Sequence, residues 1–574
     1  MKNYIIPSLL LFLGTTFTSQ AQAPVISQEV KENIISRVDK EITPAIVVGV
    51  VNADGITYFS YGVKSLKTKE LVDENSIFEL GSISKTFTGI LLADMVVKGE
   101  IDLDEPLQNL LPEGITAPTK DGKSIKLFHL SDHTSGLPRL PNNMNPSNPA
   151  NPYADYTEKE MYDFLNSYEL TRSIGSEFEY SNYAVGLLGN VLAAKRNMTY
   201  EELMLEIIAQ PLGMKNTAIV FTPKMRENLA YGHNTGLEVE NWDLPTLAGA
   251  GAIRSSAVDM IKYISANMGI LESDLYSPMR LSHQITSDEE IEQKVGLGWI
   301  IDESDSVEYI WHNGATGGYN TFTGFKKDGS LGVIVLTNSE SGVTDIGMHI
   351  LDPSKALSDP KPSIATKVKH ILDNKGIRKA TKVYWIIKKN EEEAYDFGEE
   401  QLNALGYSYL QKNEIKKAIS IFELNVEAFP TSSNAYDSYA EALMKNKENK
   451  KAIKNYKKSV ELNPGNTNAI EMLKKLGVET KDMVEEIIVE DAVLESYVGD
   501  YELAPGFILT ISKDGSQLNA QATGQGAASI YPKSNNEFYY KIVDAQVVFN
   551  LNEAGEVESL TLFQGGQELV GVKQ

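Results

Sequence analysis

The N-terminal part of the chain alternates between strand-like and helix-like patterns of hydrophobic positions. An apolar run at 45–51 and a β-prone run at 56–61 flank an Asn-Ala-Asp-Gly turn, which predicts a β-hairpin. A second pair of runs, 319–325 and 331–336, flanks a Lys-Asp-Gly-Ser turn. Between the two pairs, apolar residues recur mostly at helical spacing. Strands at both ends with helices between them predict an α/β sandwich over 24–352, with a sheet completed by both ends of the segment.

A different pattern follows residues 353–362, which are rich in Pro, Ser, Asp and Lys and are interpreted as a linker. Over 363–480, small, aromatic and proline positions recur 34 residues apart, as Ala418 and Ala452, Phe422 and Tyr456, and Pro430 and Pro464. This period resembles that of tetratricopeptide (TPR) repeats, which are pairs of helices. A weaker helical pattern at 376–390 is a candidate start of the array. We interpret the segment as a structural spacer, because short arrays need caps more than ligands; a groove for a protein partner is the alternative.

The C-terminal part, 489–574, consists of short alternating segments separated by turns such as Lys-Asp-Gly. Six strands are predicted, at 507–511, 517–523, 537–541, 546–550, 557–563 and 567–572. They favour a small antiparallel barrel or sandwich. With the run Tyr-Val-Gly-Asp-Tyr at 497–501, the segment resembles a small lipocalin-like barrel domain.

Composition narrows the classes of protein that fit. A length of 574 residues predicts several domains, and 42% hydrophobic and 23% charged residues are typical of a globular protein. The net charge of −25 is not offset by a basic stripe, so no nucleic-acid partner is expected. Because the chain has no cysteine, disulfides, a cysteine nucleophile, thiolate metal sites and an acylated lipoprotein cysteine are all excluded.

The first residues predict a secretory signal peptide at 1–21. Lys2 supplies a positive start, a short apolar run covers 5–13, and Ser19 and Ala21 are small residues at the positions read by a signal peptidase. The apolar run is too short to span a membrane comfortably, and no later run is long enough. We therefore expect a periplasmic or secreted protein with no stable membrane anchor.

Three short motifs supply candidate chemistry. They are Ser-Ile-Ser-Lys at 82–85, Tyr-Ser-Asn at 180–182 and His-Asn-Gly at 312–314. The apolar residues after Lys85 recur at helical spacing, which places Ser82 at a helix N-terminus with Lys85 about one turn on, on the same face. A second Ser-x-x-Lys at 358–361 contains Pro360 in a polar stretch and is a poor candidate to open a helix.

These residue types fit acyl transfer to a serine. A serine hydroxyl needs a neighbouring base, and a lysine can be that base only if its pKa falls. Tyr180 is expected to relay protons among Ser82, Lys85 and a leaving group, and Asn182 to orient Lys85 or the substrate. We expect the backbone N–H groups of Ser82 and Ala315 to bind an oxyanion. The site is completed by Gly314, which lets a strand pass close to the substrate, and by His312, which positions the substrate.

The ordered motifs resemble those of class C β-lactamases and related penicillin-binding serine hydrolases. Segments 130–138, 251–260 and 296–299 also fit that pattern, and the resemblance covers roughly residues 28–350. It implies a serine β-lactamase-like fold of the α/β (α+β) type, an acyl-enzyme on Ser82, and no cofactor.

One position departs from the pattern of efficient class C β-lactamases. The third motif usually begins with lysine there, whereas this chain has His312, a group expected to titrate near neutrality. This difference favours a D-amino peptide carboxypeptidase or an esterase acting on a small-molecule or peptide substrate. A true β-lactamase is the first alternative, and a non-catalytic protein that binds ligands or partners, through its repeats, is the second.

Other chemistries find little support in the sequence. None of the seven histidines belongs to a His-Glu-x-x-His motif, and His129 with His133 lacks a third ligand motif, so no metal site is predicted. The Gly-x-Ser-x-Gly elbow is absent. Gly-Lys-Ser at 122–124 lacks the first glycine of a phosphate loop and is interpreted as a turn.

Overall fold

A computed structural model describes residues 23–574 except 235, 289, 305–306, 481–488, 505–506, 524, 542, 544, 553–555 and 565–566. The predicted signal peptide at 1–21 lies outside these residues. None of the helices formed by the described residues combines the length and the apolar character needed to cross a membrane.

The N-terminal segment contains twelve strands and eleven α-helices among its described residues. The strands are β1 (Ala45–Asn52), β2 (Gly55–Gly62), β3 (Phe78–Glu79), β4 (Thr119–Lys120), β5 (Lys123–Ser124), β6 (His233–Asn234), β7 (Leu237–Glu238), β8 (Arg254–Ser255), β9 (Ile300–Ser304), β10 (Val307–Ala315), β11 (Asn320–Lys326) and β12 (Gly332–Thr337). The helices are α1 (Gln28–Asp39), α2 (Ser84–Val97), α3 (Leu127–Ser131), α4 (Glu158–Ser167), α5 (Asn182–Lys195), α6 (Tyr200–Met204), α7 (Pro223–Glu227), α8 (Ala248–Gly251), α9 (Ala257–Asn267), α10 (Tyr276–Ser282) and α11 (Thr344–Leu351).

Both ends of this segment build one antiparallel sheet, in the order β2-β1-β12-β11-β10-β9. Strand β1 pairs with β12, so that Val48 lies opposite Val335. Successive β1 side chains point to opposite faces: Val47 packs in the large core with α9, and Val48 packs in a second core with α1. The predicted α/β sandwich, closed by strands from both ends, is confirmed.

The helical segment contains regularly spaced helix pairs. Its helices are α12 (Ile364–Lys375), α13 (Ile377–Asn390), α14 (Glu399–Gln411), α15 (Ile415–Ala428), α16 (Ser433–Lys445), α17 (Asn449–Leu462) and α18 (Thr467–Lys475). The bounds of α16 and α17 equal those of α14 and α15 plus 34 residues. A contact between a small and an aromatic residue closes the α14–α15 pair, since Gly406 lies directly against the Phe422 ring. The weak pattern predicted at 376–390 corresponds to α13, which packs with α12.

The C-terminal segment begins with α19 (Asp491–Tyr497) and continues into a closed barrel of eight strands. These are β13 (Gly499–Ala504), β14 (Phe507–Asp514), β15 (Gln517–Ala522), β16 (Ala528–Pro532), β17 (Glu537–Tyr540), β18 (Ala545–Leu551), β19 (Val557–Gln564) and β20 (Gln567–Lys573). The sequence predicts six of them and misses β13 and β16. In β16 just one residue, Ile530, is buried, so its hydrophobic alternation is too weak to recognise.

Candidate active site

The segment around Ser82 lies at the junction of a 3-10 turn and a helix. The turn spans Gly81–Ile83, and α2 begins at Ser84, so Ser82 precedes the helix instead of being its first residue. Gly81 has φ +55°, a conformation that favours glycine. A Cβ on Gly81 would also lie 2.7 Å from the nitrogen of Ala315. The sharp turn therefore sets Ser82 against the end of β10.

Lys85 is fully buried on the first turn of α2. Its Nζ lies 3.0 Å from Ser82 Oγ, 2.8 Å from Asn182 Oδ1 and 2.7 Å from the carbonyl oxygen of Ala250. The last two are oxygens that only accept hydrogen bonds. Burial lowers the pKa of Lys85 well below its ordinary value, and the nearby Arg139 lowers it further. This is the direction of shift that a lysine base requires.

The Tyr180 ring lies next to Lys85 and His133. The centre of its ring is 4.8 Å from Lys85 Nζ and 4.4 Å from the centre of the His133 ring. Burial raises the pKa of Tyr180 above its ordinary value, although a hydrogen bond with Ser82 and the charge of Arg139 oppose this effect. The phenol consequently keeps its proton at neutral pH.

The Tyr-Ser-Asn motif is fixed by its middle residue. Ser181 Oγ accepts a hydrogen bond from the Ala184 N–H at 2.9 Å, which caps α5, and donates one to the Pro138 carbonyl at 2.7 Å. The Ser181 N–H donates to His133 Nδ1 at 3.1 Å. His133, with φ +66°, therefore ties its loop to the motif.

Gly314 and Ala315 bring β10 against the nucleophile. A Cβ on Gly314 would lie 2.0 Å from the Leu80 carbonyl oxygen and 2.9 Å from the Ser82 nitrogen. The absence of a side chain at Gly314 makes room for the chain that leads into Ser82, and a role of this glycine beside the substrate stays a prediction. The backbone around Ser82 and the backbone around Ala315 therefore lie close together, and the binding of an oxyanion by their two N–H groups stays a prediction.

His312 differs from its prediction in one respect. It lies on β10, is 2% exposed, and its ring centre is 6.1 Å from that of Tyr180. Burial and the proximity of Lys85 lower the pKa of His312 to about 3. The expectation that His312 titrates near neutrality is therefore wrong. The ring is neutral at pH 7, and its Nδ1 donates to the Asn313 carbonyl.

Sequence reasoning missed three side chains at this site. The exposed Arg139 follows Pro138 directly, and its guanidinium carbon is 5.1 Å from the centre of the Tyr180 ring. Tyr153 lies beside Asn182 and packs against Trp242, with ring centres 5.4 Å apart. The sequence offered a clue to Arg139, because this residue directly follows the run His-Thr-Ser-Gly-Leu-Pro at 133–138. Tyr153 and Trp242 lie in irregular segments without a pattern.

The remaining candidate motifs lie apart from this cluster. Ser358 bonds to Asp345 and belongs to a segment, 353–362, without helix or strand. Residues 122–124 form part of the tight β4–β5 hairpin. Across the part of the chain that the structure describes, no group of three or more His, Cys, Asp or Glu side chains could hold a metal ion.

Comparisons with known proteins agree with this architecture. The family model described as Beta-lactamase matches residues 30–352, a Tetratricopeptide repeat model matches 433–466, and a Domain of unknown function (DUF3471) model matches 485–573. A Beta-lactamase of Escherichia coli (strain K12) is 27% identical over 373 residues, which cover 59% of this chain and 94% of that protein. The D-alanyl-D-alanine-carboxypeptidase/endopeptidase AmpH of the same organism is 24% identical over 379 residues, which cover 60% of this chain and 96% of that protein.

Solved structures share the fold. A Beta-Lactamase/D-Alanine Carboxypeptidase from Pseudomonas syringae has a TM-score of 0.50 at 21% identity, covering 57% of this chain and 98% of its own. A protein of the same description from Yersinia pestis, complexed with citrate, has a TM-score of 0.50 at 22% identity, and the match covers 57% of this chain and 96% of that protein. Since the Beta-lactamase model spans more than half of the chain, the protein belongs to the beta-lactamase family and is a serine hydrolase of the β-lactamase and penicillin-binding-protein type.

Proposed function

We propose that this protein cleaves amide or ester bonds through an acyl-enzyme on Ser82, as a D-amino peptide carboxypeptidase or an esterase. The observation that carries the proposal is the set of hydrogen bonds around Lys85. A neutral amine has two N–H donors, and the oxygens of Asn182 and Ala250, at 2.8 and 2.7 Å, can each accept one. The lone pair of Nζ is then directed to the third neighbour, the Ser82 hydroxyl at 3.0 Å.

Acylation follows from this arrangement. Lys85 removes the Ser82 proton as Oγ attacks the carbonyl carbon, and the carbonyl oxygen becomes an oxyanion held by the N–H groups of Ser82 and Ala315. The tetrahedral intermediate collapses when the bond to the leaving group breaks. Tyr180, still protonated, gives its proton to the leaving atom and is reprotonated by Lys85, so that both groups return to their neutral forms.

Deacylation reverses the roles. A water molecule gives a proton to the Lys85 and Tyr180 pair as its oxygen attacks the acyl carbon. The second oxyanion collapses, the bond to Ser82 Oγ breaks, and the serine regains its proton. Asn182 holds Lys85 in place throughout, and His312 supports Tyr180 and the substrate without a charge of its own.

His312 distinguishes this proposal from its alternative. A lysine at the start of the third motif would place a permanent cation beside Tyr180, whereas the buried, neutral His312 offers the carboxylate of a β-lactam no charge. Relatives described as Beta-lactamase support the alternative, a true β-lactamase. The two differ in how fast the acyl-enzyme is hydrolysed.

The test is an incubation of purified protein with a fluorescent penicillin and, separately, with nitrocefin. A stable label without nitrocefin turnover supports the peptidase or esterase, and rapid hydrolysis of nitrocefin supports the β-lactamase. Ester hydrolysis is measured in parallel on a phenyl ester. In each assay Ser82→Ala should abolish labelling and turnover while the circular dichroism spectrum is retained; wild-type rates in this variant would refute the acyl-enzyme.

We propose that the helical repeats serve mainly as a spacer. The carbonyl oxygen of Leu462, at the end of α17, accepts hydrogen bonds from Lys533 Nζ and Gln546 Nε2 of the barrel, each at 2.9 Å. One end of the helical repeats therefore packs against the barrel of the same chain. Replacing both Lys533 and Gln546 with alanine should raise the radius of gyration in small-angle scattering, and an unchanged value would argue against this role.

Export to the periplasm or the medium is also a proposal, supported by the basic and apolar residues at 1–21. Cell fractionation with an antibody to the protein tests it. Retention of the full-length chain in the cytoplasm would be the contrary result.

A further inference from the structure

We propose that Arg139 binds a carboxylate on the leaving group of the substrate and thereby selects anionic substrates. The inference rests on the proposed function, because it assigns the leaving group to one side of the site. It concerns a residue that none of the three sequence motifs contains.

The backbone of Arg139 is held rigidly against the site. Its carbonyl oxygen accepts hydrogen bonds from the N–H groups of Asn182 and Tyr183, at 3.0 and 3.2 Å. The preceding carbonyl, that of Pro138, accepts the hydroxyl of Ser181 at 2.7 Å. The side chain therefore starts from a fixed point at the N-terminus of α5.

The guanidinium group lies over the proposed proton donor. Its carbon is 5.1 Å from the centre of the Tyr180 ring, within the range of a cation–π contact. Its charge adds to the effect of burial in lowering the pKa values of Lys85 and His133, and it opposes the burial-driven rise in those of Tyr153 and Tyr180, so it acts on the whole site from the rim. Because Tyr180 is proposed to protonate the leaving atom, the rim at Arg139 is the leaving-group side.

Arg139 is also available for a ligand. Four other arginines, Arg37, Arg172, Arg196 and Arg254, form ion pairs with carboxylates. Within the described ranges, no carboxylate forms such a pair with Arg139, whose side chain is exposed. A guanidinium group binds a carboxylate with two parallel hydrogen bonds, which a neutral ligand cannot reproduce.

The other basic groups of the site cannot take this role. Lys85 is buried and directs its nitrogen to three oxygens, and His312 is buried and neutral. Arg254 is held by Glu79 and Asp243, at 3.3 and 3.1 Å. The chain as a whole carries a net charge of −25, which repels anions at low salt. A substrate with a carboxylate thus needs a local cation, and Arg139 provides it.

Two esters of phenylacetic acid test the inference. One has 3-hydroxybenzoic acid as its leaving group, and the other has 3-hydroxybenzamide, which is similar in size but uncharged. The readout is the ratio of kcat/KM for the anionic ester to that for the neutral ester. Any effect of Arg139 on Lys85 reaches both esters equally and cancels in this ratio.

In Arg139→Gln the ratio should fall roughly tenfold to a hundredfold, the value of a charge-assisted hydrogen-bonded pair. Arg139→Lys should keep part of it, since the charge remains but the planar fork is lost. The matched control is Arg280→Gln, which removes an exposed arginine from α10, and its ratio should stay at the wild-type value.

Two results would overturn the inference, and they differ. If wild type cleaves both esters but Arg139→Gln leaves the ratio unchanged, Arg139 does not bind the carboxylate and the proposed function survives. If wild type and Ser82→Ala are equally inactive on both esters, the proposed function fails and takes the inference with it.

Discussion

Changing Asn182 to aspartate tests whether Lys85 acts as a neutral base. The substitution replaces the amide oxygen, 2.8 Å from Lys85 Nζ, with a carboxylate oxygen of the same size. A carboxylate there favours the ammonium form of Lys85. The pKa of Lys85, which burial lowers in the wild type, should therefore rise in Asn182→Asp.

The geometry sets the size of this effect. Two unit charges 2.8 Å apart interact by about 6 kcal/mol at an effective dielectric constant of about 20. That energy is equivalent to about four pH units, and it is an upper bound because the new carboxylate is itself partly buried. The neutral form of Lys85 exists above its pKa, so activity is lost as pH falls through that value. We expect the acidic limb of the profile to move to higher pH by at least about one unit.

The assay is the pH dependence of kcat/KM for the neutral ester, from pH 5 to pH 10. Asn190→Asp serves as a matched control: it adds the same charge to the same helix, about 12 Å further along α5, and should leave the limb in place. An acidic limb in Asn182→Asp that coincides with that of the wild type would refute the assignment of Lys85 as the base. An equal shift in both variants would show a general effect of charge instead.

Two further predictions concern backbone contact and stability. Gly314→Ala places a methyl group 2.0 Å from the Leu80 carbonyl oxygen. It should lower the free energy of unfolding by about 1–3 kcal/mol and remove most of the ester activity. The control is Gly342→Ala, whose methyl group meets no atom within 4 Å, and equal denaturation curves and rates for the two variants would contradict the contact. Burial would raise the pKa of Asp373, but bonds from Lys417, Lys369 and Tyr409 outweigh it and lower the pKa to about 2. The ionised Asp373 therefore stabilises the fold above the ordinary Asp pKa of about 4, and this contribution is lost as pH falls towards 2. Over that range Tm should decline less in Asp373→Asn than in the wild type, and parallel Tm curves would refute the contribution of Asp373.

The sequence predicts most of the architecture because its signals are local. The turn between β1 and β2 and the offset of 34 residues in the helical repeats depend on neighbours along the chain. Each of these two patterns corresponds to a contact that is present in the folded protein. The strand β16 was missed because just one of its residues, Ile530, is buried, which leaves no alternation to detect.

The candidate site was predictable to the extent that it is local. Ser82 and Lys85 are three residues apart, so helical geometry alone places them together. The oxygens that orient Lys85 come from positions 97 and 165 residues away in the sequence, and neither spacing nor composition reveals them. The charge state of His312 was predicted wrongly for the same reason. Its burial depends on tertiary packing, whereas the sequence gives only its unperturbed titration.

Burial acts on Lys85 and Tyr180 in opposite directions and so makes them a matched pair. It disfavours the charged form of each group, which lowers the pKa of the amine and raises that of the phenol. These shifts favour an amine without a proton and a phenol with one beside the same hydroxyl, which are the forms that the proposed base and acid require. His312 is uncharged for the same reason. In the proposed mechanism, the negative charge that forms during acyl transfer is then met by backbone N–H groups, and β10 approaches Ser82 so closely that a Cβ at position 314 would lie 2.9 Å from the Ser82 nitrogen.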